Sequence, residues 1–287
     1  MFLVIGDVID DILVRPLGPI RSNTDVNSEI KIAFGGSAAN FACWLASTGA
    51  RVNFVGRVGS SDVEKHANNL KSLSVNPVLQ ADENLETGSI VVLVEGESRT
   101  FLTDRGANKN LDVTNIPDEL FGKLIYLSGY SLLSLSHGDI KSLIQRANQL
   151  GALVACDPGS AGFIEDFGVK QFLESLAGVD ILLPNLEEGR LLSGEQRPEL
   201  ICGFLAERFG TVVLTMGSEG VCVQQGDHFL QQPAIPAEVI DSTGAGDAFA
   251  ATFLLELTQT SNLESAAEKG VRAGAKAVTI RGGRPSN

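Results

Sequence analysis

Short apolar runs recur along the chain, each running into Gly, Asp, Asn or Pro: FLVIG (2–6), VNFVG (52–56), KLIYLSG (123–129), ALVACD (152–157), DILLPN (180–185), TVVLTMG (211–217) and AKAVTIRGG (275–283). Between them the apolar positions fall at three- and four-residue steps, as at Ala248, Phe249, Ala250, Phe253, Leu254 and Leu257, the spacing of a half-buried helix. Continuous apolar strands alternating with helices predict an α/β fold with a mainly parallel central sheet flanked by helices. Ligands of such sheets sit beyond the carboxyl ends of the strands. Gly6-Asp7, Gly129, Asp157-Pro158, Pro184-Asn185 and Met216-Gly217 therefore mark the edge where chemistry is expected.

Two pieces break this rhythm. Residues 86–106 read as a hairpin turning at EGES, and residues 16–34 read as extended and polar. Together they predict a small β lid over the site, or a surface that pairs with another subunit; an edge hairpin of the main sheet is the alternative. The 287 residues suit two small domains or one large α/β domain. No linker-like segment appears, and composition does not separate the two.

Composition narrows the function. No apolar run approaches the length of a membrane span, and the opening MFLVIGDVIDDILV carries acids in place of a basic leader, so a cytoplasmic protein is expected. A net charge of −13 argues against a nucleic-acid or anionic-membrane surface. An acidic protein that handles phosphate must use backbone amides, a few chosen cations or a metal. Cys43, Cys156, Cys202 and Cys222 lie in apolar stretches without CxxC spacing and read as buried thiols. His66, His137 and His228 are scattered and read as surface residues.

The sharpest chemical signal is DSTGAGDAFAATFL, 241–254, which packs Gly244, Ala245 and Gly246 before Asp247 at the mouth of a helix. Helix N-termini carry unpaired amides and the positive end of the dipole, and small residues let a bulky anion reach them. An acid in that turn would repel phosphate unless it served as a base beside it, taking a proton from an attacking hydroxyl. An ordinary helix start capped by Ser242 or Thr243 is the alternative. FGGSAANFACWLASTG, from Phe34 to Gly49, repeats the arrangement, with Gly35 and Gly36 leading into a helix that carries Asn40. That pattern suits a polyhydroxy ligand, and equally close helix-to-sheet packing. In DILLPNLEEG, Asn185 and Glu188 would share one face of a first helical turn, as oxygen ligands near Mg²⁺ or as a capping box.

These motifs together resemble the ribokinase-like (PfkB-type) family of sugar and nucleoside kinases, from about Leu3 to Ser286. The resemblance implies one domain spanning 1–287, an α/β fold of three layers (α/β/α), with a small β lid inserted as segments near 16–34 and 86–106. It assigns Asp247 as catalytic base and Gly244, Ala245 and Gly246 as the anion hole for the transferred phosphate. Asn185 and Glu188 would act around Mg²⁺ and ATP, Glu188 through water. Asp11, Gly35, Gly36 and Asn40 would bind the acceptor, while Thr215, Gly217 and Gly220 line the nucleotide. Asp241, Thr243 and Ser286 fall where K⁺-activated members place cation ligands. A homodimer through the lid is compatible with it.

The chain departs from the family after its Asp-Pro turn, where DPGSAG (157–162) lacks the Arg that would pair with a carboxylate or phosphate on the acceptor. Neutral sugars such as ribose or fructose, and nucleosides, are the remaining acceptors. Arg99 and Arg105 bracket the second limb of the lid and read as a solvated face. A non-catalytic sugar or nucleotide sensor is the competing class. A nicotinamide-dependent dehydrogenase is remote, because GDVIDD is no GxGxxG fingerprint.

Overall fold

A computed structural model describes residues 1–95 and 98–285, without the side chains of Glu95, Ser98 and Arg99. Its strands are β1 (Phe2–Ile5), β2 (Ile9–Pro16), β3 (Ser28–Gly35), β4 (Val52–Gly59), β5 (Val75–Asp82), β6 (Gly88–Glu95), β7 (Ser98–Asp104), β8 (Leu124–Ser128), β9 (Leu153–Asp157), β10 (Ile181–Leu182), β11 (Thr211–Thr215), β12 (Val221–Gln225) and β13 (His228–Gln232). Nine form the main sheet, in the order β13-β12-β11-β10-β9-β8-β1-β4-β5. Every pairing from β11 to β5 is parallel, and β12 and β13 close one edge as an antiparallel hairpin.

Alternate residues of a strand face opposite sides of a sheet, and both sides here are covered. Phe2 and Val4 of β1 join a core with Phe41, Leu45, Phe253 and Leu254, from the helices Ser37–Ser47 and Ala245–Thr260. Leu3 and Ile5 join a second core with Ile140, Leu143, Ile201 and Leu205, from His137–Gln149 and Pro198–Ala206. The result is the expected three-layer α/β/α arrangement. Phe41 stacks on Tyr126 of β8 with ring centroids 3.7 Å apart, which pins the Ser37–Ser47 helix over the sheet centre.

The lid is a separate four-stranded sheet, β3-β2-β6-β7, and not an edge of the main one. It begins earlier than expected, at Ile9, because the chain crosses from β1 into β2 after three residues, Gly6–Val8. Asp11 is thereby a lid residue. Register puts Ala33, Asp11, Ile90 and Thr103 in one row and Leu13, Val92 and Phe101 in the next, all lining a cavity beneath the lid. The expected EGES turn lies partly outside the described residues, at Gly96 and Glu97.

Two expectations fail. AKAVTIRGG is not a strand: Ala275–Ala277 ends the helix Leu263–Ala277, and the chain then bends through Gly283. Small residues made that stretch look like a core strand, but Lys276 and Arg281 give it no unbroken apolar run. His66 is not at the surface; it is fully buried against the Phe34 ring and Asp10, on a helix (Val63–Ser72) that packs against β5. The four cysteines are buried and free, as expected. No helix among the described residues is long and apolar enough to cross a membrane.

Candidate active site

Two helix N-termini face each other beyond the carboxyl ends of β1 and β8. At the first, Asp7 reaches in from the end of β1: its carboxylate accepts from the amides of Ser37 (2.7 Å) and Ala38 (3.3 Å) and from the Ser128 hydroxyl (2.6 Å). The Ser37 hydroxyl then donates to Oδ1 of Asp247, 2.8 Å away, in the first turn of the second helix. Burial drives the Asp247 carboxyl well above its usual range; Asp157 and Asp7 add to the rise, and hydrogen bonds from Ser37 and Asn40 oppose it. A carboxyl so placed is poised to hold a proton.

Asp247, Ser37 and Tyr130 belong to both of two adjoining cavities. The cavity under the lid, about 500 Å³, gathers Asp11, Gly36, Asn40, Asp241, Thr243 and Gly244. The other, about 380 Å³, gathers Asn185, Glu188, Thr215 and Gly246 with Asp157. Twelve of the expected site residues thus converge on one edge of the sheet, with Gly35 directly under the Asp11 carboxylate: a Cβ on Gly35 would lie 2.1 Å from Asp11 Oδ1. Ala245, Gly217 and Gly220 do not line either cavity; Gly217 and Gly220 shape the turn after β11. Ser286 lies outside the described residues.

Gly244 is the N-cap of the helix Ala245–Thr260, so neither Ser242 nor Thr243 holds that position. Its φ of 76° and a built Cβ only 2.3 Å from the Gly283 carbonyl oxygen leave room for glycine alone. Asn185 and Glu188 form the capping box, with Glu188 N–H donating to Asn185 Oδ1 (2.9 Å) and Asn185 N–H to Glu188 Oε2 (2.9 Å). The box and the cavity position coexist, because Glu188 is buried yet borders the second cavity. Burial pushes Glu188 up to about 8, with Asp157 adding, and pushes Asp157 up to about 7. Glu188 and Asp157, with Asn185 beside them on one small polar cavity, offer oxygen donors that suit a hydrated Mg²⁺, whose charge would favour the ionised forms that burial disfavours. Asp10, Asp62 and His66 also cluster, within 4.8 Å, but none of them lines either cavity.

Burial raises Asp11 to about 6, against the opposing charge of Arg284; Asp7, Asp10 and Asp241 add to the rise. Asp241 Oδ1 accepts from Thr243 N–H (3.0 Å) and Oγ1 (2.7 Å), and Oδ2 from Gly282 N–H (3.0 Å). Arg105 is not on a solvated face: it lines the lid cavity and donates to the Tyr130 carbonyl. The side chain of Arg99 lies outside the described residues. Ser37, Tyr130 and Arg284 were not anticipated as site residues, and Asp7 and Asp157 only as strand ends. Acids at strand ends were the available signal for Asp7 and Asp157; nothing local marks the other three.

The family model described as "pfkB family carbohydrate kinase" matches residues 1–287. Among curated relatives, the ATP-dependent ribose-1-phosphate kinase of Halopiger xanaduensis is 30% identical over 256 residues, covering 87% of this chain and 82% of its own. The ATP-dependent 6-phosphofructokinase of Thermoanaerobacterium thermosaccharolyticum is 27% identical, covering 93% and 84%. The crystal structure of adenosine kinase from Sinorhizobium meliloti superposes with a TM-score of 0.88 at 24% identity, covering 99% and 95%.

Proposed function

The chain belongs to the pfkB family of carbohydrate kinases, and from that premise we propose that it transfers phosphate from ATP to a hydroxymethyl group of a small sugar or nucleoside. The observation that carries this reading is the position of Asp247, shared by the lid cavity and the carboxylate-lined cavity beside it. In this reading Asp11 and Asn40 orient the acceptor, and Asp247 takes the proton of the attacking hydroxyl. The helix start at Gly244, Ala245 and Gly246 would hold the charge that develops on the phosphoryl group, with Gly244 and Gly246 bordering the two cavities. Mg²⁺, held near Glu188, Asp157 and Asn185, would screen the phosphates, and the lid would exclude water. Thr215, Gly217 and Gly220 serve the nucleotide, and Asp241, Thr243 and Ser286 a monovalent cation.

A second reading, that the acceptor is a nucleoside, is favoured by the lid wall. Leu13, Ile90, Val92 and Phe101 make that wall apolar, and Tyr130 meets Phe163 edge-on across the cavity at 6.0 Å. A free pentose would leave this surface uncovered, whereas a base would cover it. The test is ADP release with MgATP against ribose, fructose, ketodeoxygluconate, adenosine, cytidine, uridine and pseudouridine, at matched K⁺ and Na⁺. Turnover with ribose or fructose supports a sugar kinase, and turnover with nucleosides alone supports the second reading. Silence across the panel from protein that binds ATP favours the sensor.

The lid's other face supports a homodimer. Ile32, Ile12, Val91 and Leu102 form one cross-strand row there, with Ile30, Val14 and Leu93 in the next. Ile30, Ile32 and Leu102 are 62%, 72% and 60% exposed, an apolar patch that a second copy would cover.

A further inference from the structure

The C-terminal segment Arg281–Pro285 runs along the floor of the lid cavity. It is held tightly: the Trp44 indole donates to the Gly283 carbonyl at 2.9 Å, and a Cβ on Gly283 would come within 2.4 Å of Asn40 Nδ2. Arg284 then joins three elements. Its Nε donates to Asn40 Oδ1 (3.0 Å) on the Ser37–Ser47 helix, and its Nη2 to the Gly35 carbonyl (2.7 Å) at the end of lid strand β3. Its Nη1 donates to Asn69 Oδ1 on the helix Val63–Ser72. The guanidinium also lies 5.7 Å from the centroid of the Phe34 ring.

Both Asn40 and Gly35 matter to the acceptor. An amide side chain has two ends of similar shape, and a donor fixed on its oxygen decides which end points elsewhere. With Arg284 on Oδ1, the Asn40 NH₂ is the end left to face Asp247, whose carboxyl it stabilises in the charged form. The Asp11 carboxylate rests directly on Gly35. We propose that Arg284 is a positioning residue for the acceptor, locking the Asn40 amide and the Gly35 backbone so that Asn40 and Asp11 meet the acceptor hydroxyls in one fixed arrangement. Selectivity for the acceptor then depends on the segment Arg281–Pro285. The inference rests on the phosphotransfer reading for its kinetic consequence but not for its structural one. A lysine cannot replace Arg284, because its three N–H bonds radiate from one nitrogen, whereas Asn40 Oδ1, Asn69 Oδ1 and the Gly35 carbonyl are met by three separate nitrogens of the guanidinium.

The experiment uses the whole chain, with Arg284→Ala and Arg284→Lys beside wild type and exposed Arg272→Ala as control. Loss of charge-assisted hydrogen bonds predicts an acceptor KM at least about tenfold higher in both Arg284 variants, with the ATP KM within about twofold. Free guanidinium ion should restore acceptor binding in Arg284→Ala. Unchanged acceptor KM, or equal loss for acceptor and ATP, overturns the proposal. Side-chain NH₂ exchange of Asn40, read by NMR on ¹⁵N-asparagine-labelled protein, requires no turnover. It should accelerate at least about tenfold in the Arg284 variants as the lock is lost, and an unmoved Asn40 signal overturns the proposal even in a protein that phosphorylates nothing. If Arg284→Ala fails to fold, Arg284→Lys alone decides on both readouts.

Discussion

Gly244 and Gly246 flank Ala245 in one turn, yet they should answer to the same substitution in opposite ways. A Cβ on Gly246 meets no atom within 4 Å, and the residue is exposed at the second position of a helix, so the fold does not require glycine there. Alanine should raise stability by up to ~1 kcal/mol, a gain of about 2 °C in Tm for a chain of this size. Gly246 borders the carboxylate-lined cavity, however, and a methyl group on it would occupy the space through which a phosphoryl oxygen approaches the amides. Keeping the phosphate out by ~1 Å costs on the order of 100-fold in turnover. Gly246→Ala should therefore be a stable, slow enzyme. At Gly244 the same methyl lands 2.3 Å from the Gly283 carbonyl oxygen at a φ of 76°. The strain is ~1–2 kcal/mol before the carbonyl moves, and moving it disturbs the Trp44 hydrogen bond. Gly244→Ala should lose both Tm and turnover. Calorimetry and steady-state ADP release on the two variants make the comparison. Wild-type turnover in Gly246→Ala would refute the placement of the transferred phosphate at this helix.

Asp247→Asn should lower turnover at least ~100-fold while ATP still binds by titration calorimetry; near-normal turnover removes Asp247 from the chemistry. Acceptor kcat/KM should fall as pH drops through about 6, where Asp11 takes up its proton and ceases to accept two hydroxyl hydrogens, and the limb should vanish in Asp11→Asn. The folded-state values of Asp157 and Glu188 lie above the ordinary ~4, so their stabilisation is complete at low pH and is lost as pH rises through about 7 and 8. Ligand-free Tm should accordingly decline from about pH 4 to about pH 8 and level off above it, less steeply in Asp157→Asn, and Mg²⁺ should protect most at the alkaline end. Light scattering should give a dimer mass for wild type and a monomer for Ile32→Glu, and a monomeric wild type would remove the lid interface.

The alternation of strand and helix was legible because β1, β8, β9 and β11 are buried on both faces and so read as unbroken apolar runs. β5, VNPVLQAD, was not, since it is the edge strand, half-exposed and interrupted by Pro77. β13, HFLQQ, was missed for the same reason, as the largely exposed strand at the opposite edge. In the site, residues carried by glycine-rich helix starts were visible, because the backbone requirement is local. Arg284 and Ser37 were not: each matters through partners more than two hundred residues away in sequence, Asn40 and Asp247. No Arg follows Asp157-Pro158 to pair with an anionic acceptor, yet Arg105 and Arg284 reach the lid cavity from the lid and from the segment Arg281–Pro285.

The two facing helices explain how a chain of net charge −13 can attract phosphate at all. Both begin at a glycine N-cap, Gly36 and Gly244, with no side chain of its own to satisfy the first amides. At the Ser37–Ser47 helix an internal anion fills that role, for Asp7 accepts from the amides of Ser37 and Ala38. At the Ala245–Thr260 helix the acid of the first turn, Asp247, is instead directed to Ser37 and Asn40, away from its own helix start. The dipole there is left to an anion from outside, and Gly246 keeps the approach open. In the proposed function one helix start would position the base through Ser37, while the other would hold the charge that the base's action creates. Under the proposed function the neighbouring carboxylates would oppose a phosphate until a divalent cation joined them, which would make metal and nucleotide binding mutually dependent.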